Sequence, residues 1–489
     1  MKYPFLSLVI LSALLIACST KNEKQQPLDK LESRQLDSLM IYSHEHGMFN
    51  GSVAVVRNDS VLFQESYGLT GQASAQEIDA ETIFYIASIA KQFTAMGIMI
   101  LQERGLLQVD DALGTYLPQL TSIDDQATIR HLLQHTAGIS DRTYYQLENP
   151  DNQAVLEQLR TLDASGFGAA NQRFSYSNTG YVLLALIIEK VSGRSIQAFL
   201  QEEIFTPLGM NRTTTSKEEV AKDKNRADGY SVLGKPSSYQ SSVIGPAGIY
   251  STINDLLSWN AAINQGKLIS AQTLKQIFAN GQTENGPISF QLGDDEYGYG
   301  FGWMPFQKGK DELVRHDGST EGFRSLIRKN LSQNVDILML TNHGGALAMD
   351  EITDGIDEIL NSQRFHTPNI PLPNRVINQL NQGGIDSVVS MLHATIDPAN
   401  KPDERVLGRL GYTLQNNGRL EEAIQLYRVN LGLYPESSNA LYVLGEAYLS
   451  TEKYSQAREI YQQFLTIKPE SEYAREKLAL INAKPGENP

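Results

Sequence analysis

Cysteine is almost missing from this chain: 489 residues hold one, Cys18. A single thiol forms no internal disulfide, so an oxidising compartment would not staple the fold. Stability has to come from burial, and a chain of this length has room for more than one core. Positive charge is also scarce. Lys and Arg number 41 against 56 Asp and Glu, for a formal net charge of −15. That balance excludes nucleic acid as an expected partner, because such binding needs clustered Lys and Arg. It also disfavours electrostatic adhesion to anionic lipid, and the excess acid reads as solubility. The apolar run from Phe5 to Ala17 (FLSLVILSALLIA) falls short of the ~20 residues of a membrane-spanning helix.

That run follows Lys2 and is succeeded at once by the polar stretch STKNEKQQPLDK, the grammar of an export signal rather than of a stop-transfer segment. Cys18 closes it in the order Leu15-Ile16-Ala17-Cys18. This resembles the bacterial lipoprotein signal, here over residues 1–18, which implies cleavage before Cys18, lipidation of Cys18 as the mature N-terminus and attachment to a membrane of the cell envelope. An ordinary cleaved signal with an incidental thiol is the alternative. Ser19 stands where some inner-membrane lipoproteins carry Asp, so the expectation leans to the outer membrane.

Residues 19–30 read as a flexible tether, and residues 31–365 as one large globular domain. HTPNIPLPNR, residues 366–375, has three prolines in ten positions. Proline favours extended chain and removes donors, so this segment is expected to be a linker. Residues 376–489 are expected to be all-helical. Within them Gly411 matches Gly445, Ala423 matches Ala457, Tyr427 matches Tyr461 and Pro435 matches Pro469, every offset being 34 residues. The period resembles the tetratricopeptide repeat, here over about 405–472. It implies either a surface for a protein partner or a module docked on its own chain. Gly384, 34 residues before Gly418, hints at a degenerate upstream unit.

The large domain mixes helix and strand. Gly51 to Gly68 alternates around Asn58-Asp59, a hairpin pattern. Ser88 to Glu103 has apolar residues at helical spacing and ends before Gly105. YVLLALIIEKV, from Tyr181 to Val191, predicts a buried helix. DELVRHDG, GFRSLIRKN and NVDILMLTN predict three successive strands. Strands at both ends and helices between them predict an α+β fold with an antiparallel sheet and a helical layer.

Three motifs carry chemistry. In Ser88-Ile89-Ala90-Lys91 the amine lies one helical turn from the alcohol, so it can take the hydroxyl proton. A Ser at a helix start also reads as an N-cap, and a second Ser-x-x-Lys, Ser450 to Lys453, lies in the repeats, where it is structural. Tyr176-Ser177-Asn178 stands before the buried helix. A phenol acts as a base only beside a cation, which Lys91 would supply, and Asn178 would orient the amine or a substrate carbonyl. The alternative is a turn in which Asn178 caps the helix. His316-Asp317-Gly318, followed by Ser319, ends a strand. There Gly318 would let a substrate lie against the strand, and the amides of Ser88 and Ser319 would form an oxyanion hole.

Taken in order, Ser-x-x-Lys, Tyr-x-Asn and a basic residue-x-Gly resemble the motif set of serine β-lactamases and penicillin-binding proteins. The branch most similar is that of class C β-lactamases and D-alanyl-D-alanine peptidase-esterases. HLLQHTAGI from His131, TPLGM from Thr206, PAGIYSTINDL from Pro246 and HDGSTEGF from His316 add to the likeness across residues 31–360. The resemblance implies acylation of Ser88, general acid and base work by Lys91 and Tyr176, orientation by Asn178, and catalysis with no metal or cofactor. The substrate would be a small molecule or a peptide. Much of the family has Lys-Thr-Gly where this chain has His316, Asp317 and Gly318. The exchange predicts weak binding of substrates with a carboxylate near the scissile bond, although Arg315 or Arg324 would restore a cation. The competing expectation for the whole chain is a binding scaffold that keeps an inactive hydrolase fold.

Overall fold

The computed structural model describes residues 30–483 apart from 73, 75, 142, 143, 145, 149, 238–241, 294, 346, 347, 363, 365, 398 and 400. The expected signal, its Cys18 and nearly all of the tether lie outside the described residues.

An eight-stranded antiparallel sheet organises the large domain. Its strands are β1 (Gly51–Arg57), β2 (Ser60–Tyr67), β3 (Phe290–Leu292), β4 (Asp295–Tyr297), β5 (Met304–Lys308), β6 (Asp311–Ser319), β7 (Arg324–Asn330) and β8 (Val335–Thr341). They lie in the order β2-β1-β8-β7-β6-β5-β4-β3, so the first hairpin is inserted beside the last strand. The predicted hairpin turns at Asn58 and Asp59, both at positive φ (49° and 61°). Consecutive left-handed residues give a turn whose twist matches the strands.

Side-chain alternation divides the sheet into two faces. Val53, Val55, Ile337 and Met339 meet α1 (Lys30–Glu45) and the helix Met349–Ser362. Ala54, Val56, Leu338 and Leu340 join the larger core. That core contains the helical region, led by α2 (Ala90–Glu103), α3 (Asn178–Ser192) and α4 (Ile253–Asn264). As the apolar run predicts, α3 is buried from Thr179 to Ile188. Gly193 closes it in the left-handed conformation. Among the described residues no helix is long and apolar enough to cross a membrane.

The linker is shorter than its prolines suggest. Helix begins at Leu372, inside the expected 366–375 segment. Pro371 and Pro373 occupy the cap and first turn, where a missing N–H leaves no bond unmade. This helix, Leu372–Thr395, breaks at Gly384 (φ 69°). Two helix pairs follow, Glu404–Asn416 with Leu420–Leu433 and Ser438–Ser450 with Tyr454–Ile467, and then Glu472–Asn482. The repeat has a steric cause. A Cβ on Gly411 would sit 2.3 Å from the Tyr427 ring, and one on Gly445 would sit 2.9 Å from the Tyr461 ring. Each pair therefore crosses closely at the same place.

The repeats dock on the large domain. Leu233, in a turn of the large domain, is buried in the core of the repeat module. Lys235 Nζ donates to the Asn417 carbonyl at 3.1 Å. Asn374 Nδ2 donates to the carbonyls of Gly47 and Gly345, and Asn378 Nδ2 to that of His46 at 2.8 Å.

Candidate active site

The chain reaches Ser88 through a short strand, Phe84–Tyr85, paired with Tyr250–Ser251. It then turns tightly through Ala87–Ile89 into α2. Ala87 is held at φ 47°, a left-handed conformation that costs an alanine about 1–2 kcal/mol. Such strain is characteristic of functional turns. Neither this turn nor α2 has a side-chain cap, which removes the N-cap reading of Ser88. The hydroxyl instead lines a cavity of about 620 Å³.

Lys91 is fully buried. Its Nζ lies 3.2 Å from Ser88 Oγ, 2.8 Å from Asn178 Oδ1 and 3.0 Å from the carbonyl oxygen of Pro246. Burial pulls its pKa down to about 7, against a smaller opposing pull from the Asp141 carboxylate. A neutral amine has two hydrogens and one lone pair. The oxygens of Asn178 and Pro246 accept the two hydrogens, because neither oxygen can donate. The lone pair is left for the Ser88 hydroxyl.

Asn178 is the first residue of α3 and does not cap it. Ser177 does, its Oγ accepting from the Gly180 amide at 3.1 Å. Asn178 is oriented from behind by Asp141, which accepts from Asn178 Nδ2 at 2.9 Å, from the Thr179 amide at 2.9 Å and from Ser177 Oγ at 3.1 Å. Tyr176 leans over Lys91, with Nζ 4.8 Å from the ring centroid. On its other contacts the ring meets His135, at a centroid separation of 4.3 Å.

The third motif forms the opposite wall. His316 Nδ1 contacts the Asp317 carbonyl at 2.8 Å and Nε2 contacts Tyr299 Oη at 3.0 Å. A carbonyl only accepts, so Nδ1 carries the hydrogen and Tyr299 donates to Nε2. Burial, then the positive charge of Lys91, holds the imidazole down at about 3, so His316 is neutral near pH 7. Asp317 lines the cavity but is paired with Arg315, at 3.0 and 2.8 Å. Residues 315 and 317 share one strand face and His316 the other, as alternation requires. Arg315 is thus a partner of Asp317, shared with Asp350, rather than a free cation for a substrate.

Gly318 also has a different reason to be glycine. A Cβ there would meet the Ile86 carbonyl oxygen at 2.3 Å and Ser325 Oγ at 2.1 Å. The missing side chain brings β6 against the turn that carries Ser88, rather than making room for a ligand. Between His316 and Ser319 the strand pairs with β7 on one side only. On the other side β5 begins at Met304, opposite Arg315. Among the described residues this leaves a free strand edge along the cavity that Ser88, Tyr176, Asn178 and Ser319 also line.

Every expected site residue from 88 to 319 thus meets around one cavity or touches a residue that does. Asp141, Tyr299 and Pro246 were not singled out from the sequence. Asp141 stands just past HLLQHTAGI, and no spacing marks it. The second Ser-x-x-Lys behaves differently: Ser450 Oγ donates to the Glu446 carbonyl and Lys453 pairs with Glu421. Among the described residues no group of three or more His, Cys, Asp or Glu is placed to hold a metal ion.

Comparison with known proteins agrees with this architecture. The family model Beta-lactamase matches residues 28–359, and the model Anaphase-promoting complex, cyclosome, subunit 3 matches residues 390–464, within the helix pairs. Penicillin-binding protein 4* of Bacillus subtilis (strain 168) is 28% identical over 362 residues, covering 69% of this chain and 78% of that protein. The octameric penicillin-binding protein homologue from Pyrococcus abyssi superposes with a TM-score of 0.60 at 26% identity, over 67% of this chain and 77% of that one. A class C β-lactamase gives 0.58 at 22% identity, over 68% and 97%. With a cleft of this form and a family match across more than half of its length, the chain belongs to the β-lactamase family of serine hydrolases and carries tetratricopeptide-like repeats beyond that domain.

Proposed function

We propose that the enzyme cleaves an ester, amide or peptide bond through an acyl-enzyme on Ser88. The observation that carries this reading is the hydrogen bonding of Lys91, which points a lone pair at the Ser88 hydroxyl. Ser88 Oγ attacks the carbonyl carbon as its proton passes to Lys91 Nζ. The carbonyl oxygen takes the negative charge and is met by the amides of Ser88 and Ser319. Collapse re-forms the carbonyl and expels the leaving group, which takes a proton by way of Lys91 and Tyr176. Water then repeats the sequence and frees the acid.

The substrate class follows from the third motif. A neutral His316 offers a carboxylate no charge, and the Arg315 charge is shared with Asp317 and Asp350. A substrate with no carboxylate beside its scissile bond suits this wall better than a penicillin or a terminal D-alanine. Attachment to the cell envelope through a lipid on Cys18 belongs to the same proposal. It predicts incorporation of labelled fatty acid that Cys18→Ser abolishes.

A fluorophosphonate probe should label the protein and fail on Ser88→Ala. No covalent adduct at all would favour the binding-scaffold reading. On the purified enzyme an aryl ester should outperform nitrocefin in kcat/KM. Nitrocefin ahead by a hundredfold or more would overturn the substrate assignment.

A further inference from the structure

A second cavity of about 480 Å³ lies where the repeats meet the large domain. Thr320 and Arg324 line both this cavity and the catalytic one. The two spaces are therefore neighbours at the end of the open strand edge. One wall comes from the large domain, with Val232 and Glu321. The other comes from the first repeat helix, with Arg409, Leu410 and the exposed ring of Tyr412.

The charges in this lining are unevenly matched. Among the described residues neither Arg324 nor Arg409 has a carboxylate within 4.0 Å. Arg324 is already positioned, its Nε donating to the Gly344 carbonyl at 3.1 Å and its Nη1 to Ser319 Oγ. Glu321 shares the rim, so two guanidinium groups stand against one acid. Asp317 and Asp403 act on these arginines only from a distance, so two guanidinium groups outside direct ion pairs beside one cavity favour an anion there. Leu410 and Tyr412 add an apolar floor.

We propose that this cavity is a distal subsite of the hydrolase. It holds the far arm of an extended peptide substrate whose reactive bond sits at Ser88 and whose distal carboxylate is bound by Arg324 and Arg409. The proposal rests on the hydrolase reading. It also gives the repeats a task within their own chain. Substrate backbone would run along the edge from His316 to Ser319 and pass Thr320 into the second cavity. His316 supplies no charge for a carboxylate beside the scissile bond, Arg324 stands where the two cavities share their lining, and Arg409 lies beyond it.

The test uses the full chain with Ser88→Ala, so that binding is read apart from turnover. The probes are a short dansyl-labelled peptide with an apolar residue before a free C-terminal carboxylate, and the same peptide amidated. Fluorescence anisotropy should give the carboxylate form a Kd lower by about tenfold or more, the worth of one charge-assisted contact. Adding Arg409→Gln should remove that preference and leave the amidated peptide unchanged. In the otherwise native enzyme, Arg409→Gln should not alter kcat/KM for a short uncharged aryl ester. Equal affinities for the two peptides, or a preference that survives Arg409→Gln, overturns the subsite. Absence of Ser88-dependent ester turnover would instead defeat the hydrolase reading, and the binding measurement separates the two failures.

Discussion

The carboxylate of Asp141 accepts a hydrogen bond from the Asn178 amide nitrogen at 2.9 Å. That contact fixes the amide, because only its oxygen is then left to face Lys91, 2.8 Å away. Asp141 is thus a positioning residue that also acts on Lys91 by charge. Asp141→Asn should keep the shape and lose the charge. Since the carboxylate raises the Lys91 pKa, its removal should move the acid limb of the pH–rate profile to lower pH, together with a fall in kcat. Profiles measured with an uncharged aryl ester check this. An unmoved limb would mean that Asp141 serves structure alone.

In the native enzyme, kcat/KM for the same ester should rise roughly tenfold per pH unit below pH about 7 and level off above it. Lys91 must be unprotonated to accept the proton, and burial sets its pKa there. His316, held at about 3, should contribute no limb near 6.5. The same shift has a stability sign. Between about 7 and the ordinary 10.5 the unfolded chain binds a proton at this residue that the native fold does not. Native stability should therefore rise with pH across that window. The melting temperature of the native enzyme, taken relative to that of Lys91→Met, should rise as pH increases from 7 to 10.

Ser88→Ala should lower kcat by orders of magnitude, since the covalent route is lost. Lys91→Ala should cost nearly as much, because one proton transfer joins the two groups at 3.2 Å. The double variant should be no slower than Ser88→Ala. Steady-state rates that fall by the product of the single losses would show two independent contributions.

Gly318→Ala adds one methyl group at a place with no room. Backbone oxygen of Ile86 and the Ser325 hydroxyl both lie too close. Either β6 or the Ser88 turn has to move, and Ser325 Oγ would lose its 2.8 Å bond to that carbonyl. The variant should melt lower and lose kcat far more than KM changes. Full activity would show that the strand and the turn are not rigidly coupled.

Local signals in the sequence were strong where one segment settles its own structure. Asn58-Asp59 between alternating runs announced the first hairpin. The three closing strands, β6 to β8, follow the predicted segments, since each is an apolar-rich run ended by a turn. The Ser-x-x-Lys spacing placed Lys91 beside Ser88 because one helical turn does so anywhere. Its meaning depended on Asn178 and Pro246, 87 and 155 residues away. Long-range features left no such mark. Asp141 became visible only when α3 folded over it. Prolines at 371 and 373 read as linker, yet they start a helix, because a first turn has no use for their missing donors. The charge on Asp317 was visible, but its pairing with Arg315 required knowing that the two share a strand face beside Asp350.

Leu233 gives the chain a joint that does not depend on its covalent connection. That side chain belongs to the large domain and is buried in the apolar interior of the repeats. Asn374 and Asn378 grip carbonyls at residues 46, 47 and 345 from the opposite direction. A protease that nicked the backbone between residues 366 and 371 would cut the molecule without parting it. The two fragments would purify together, and Arg324 and Arg409 would still line one cavity.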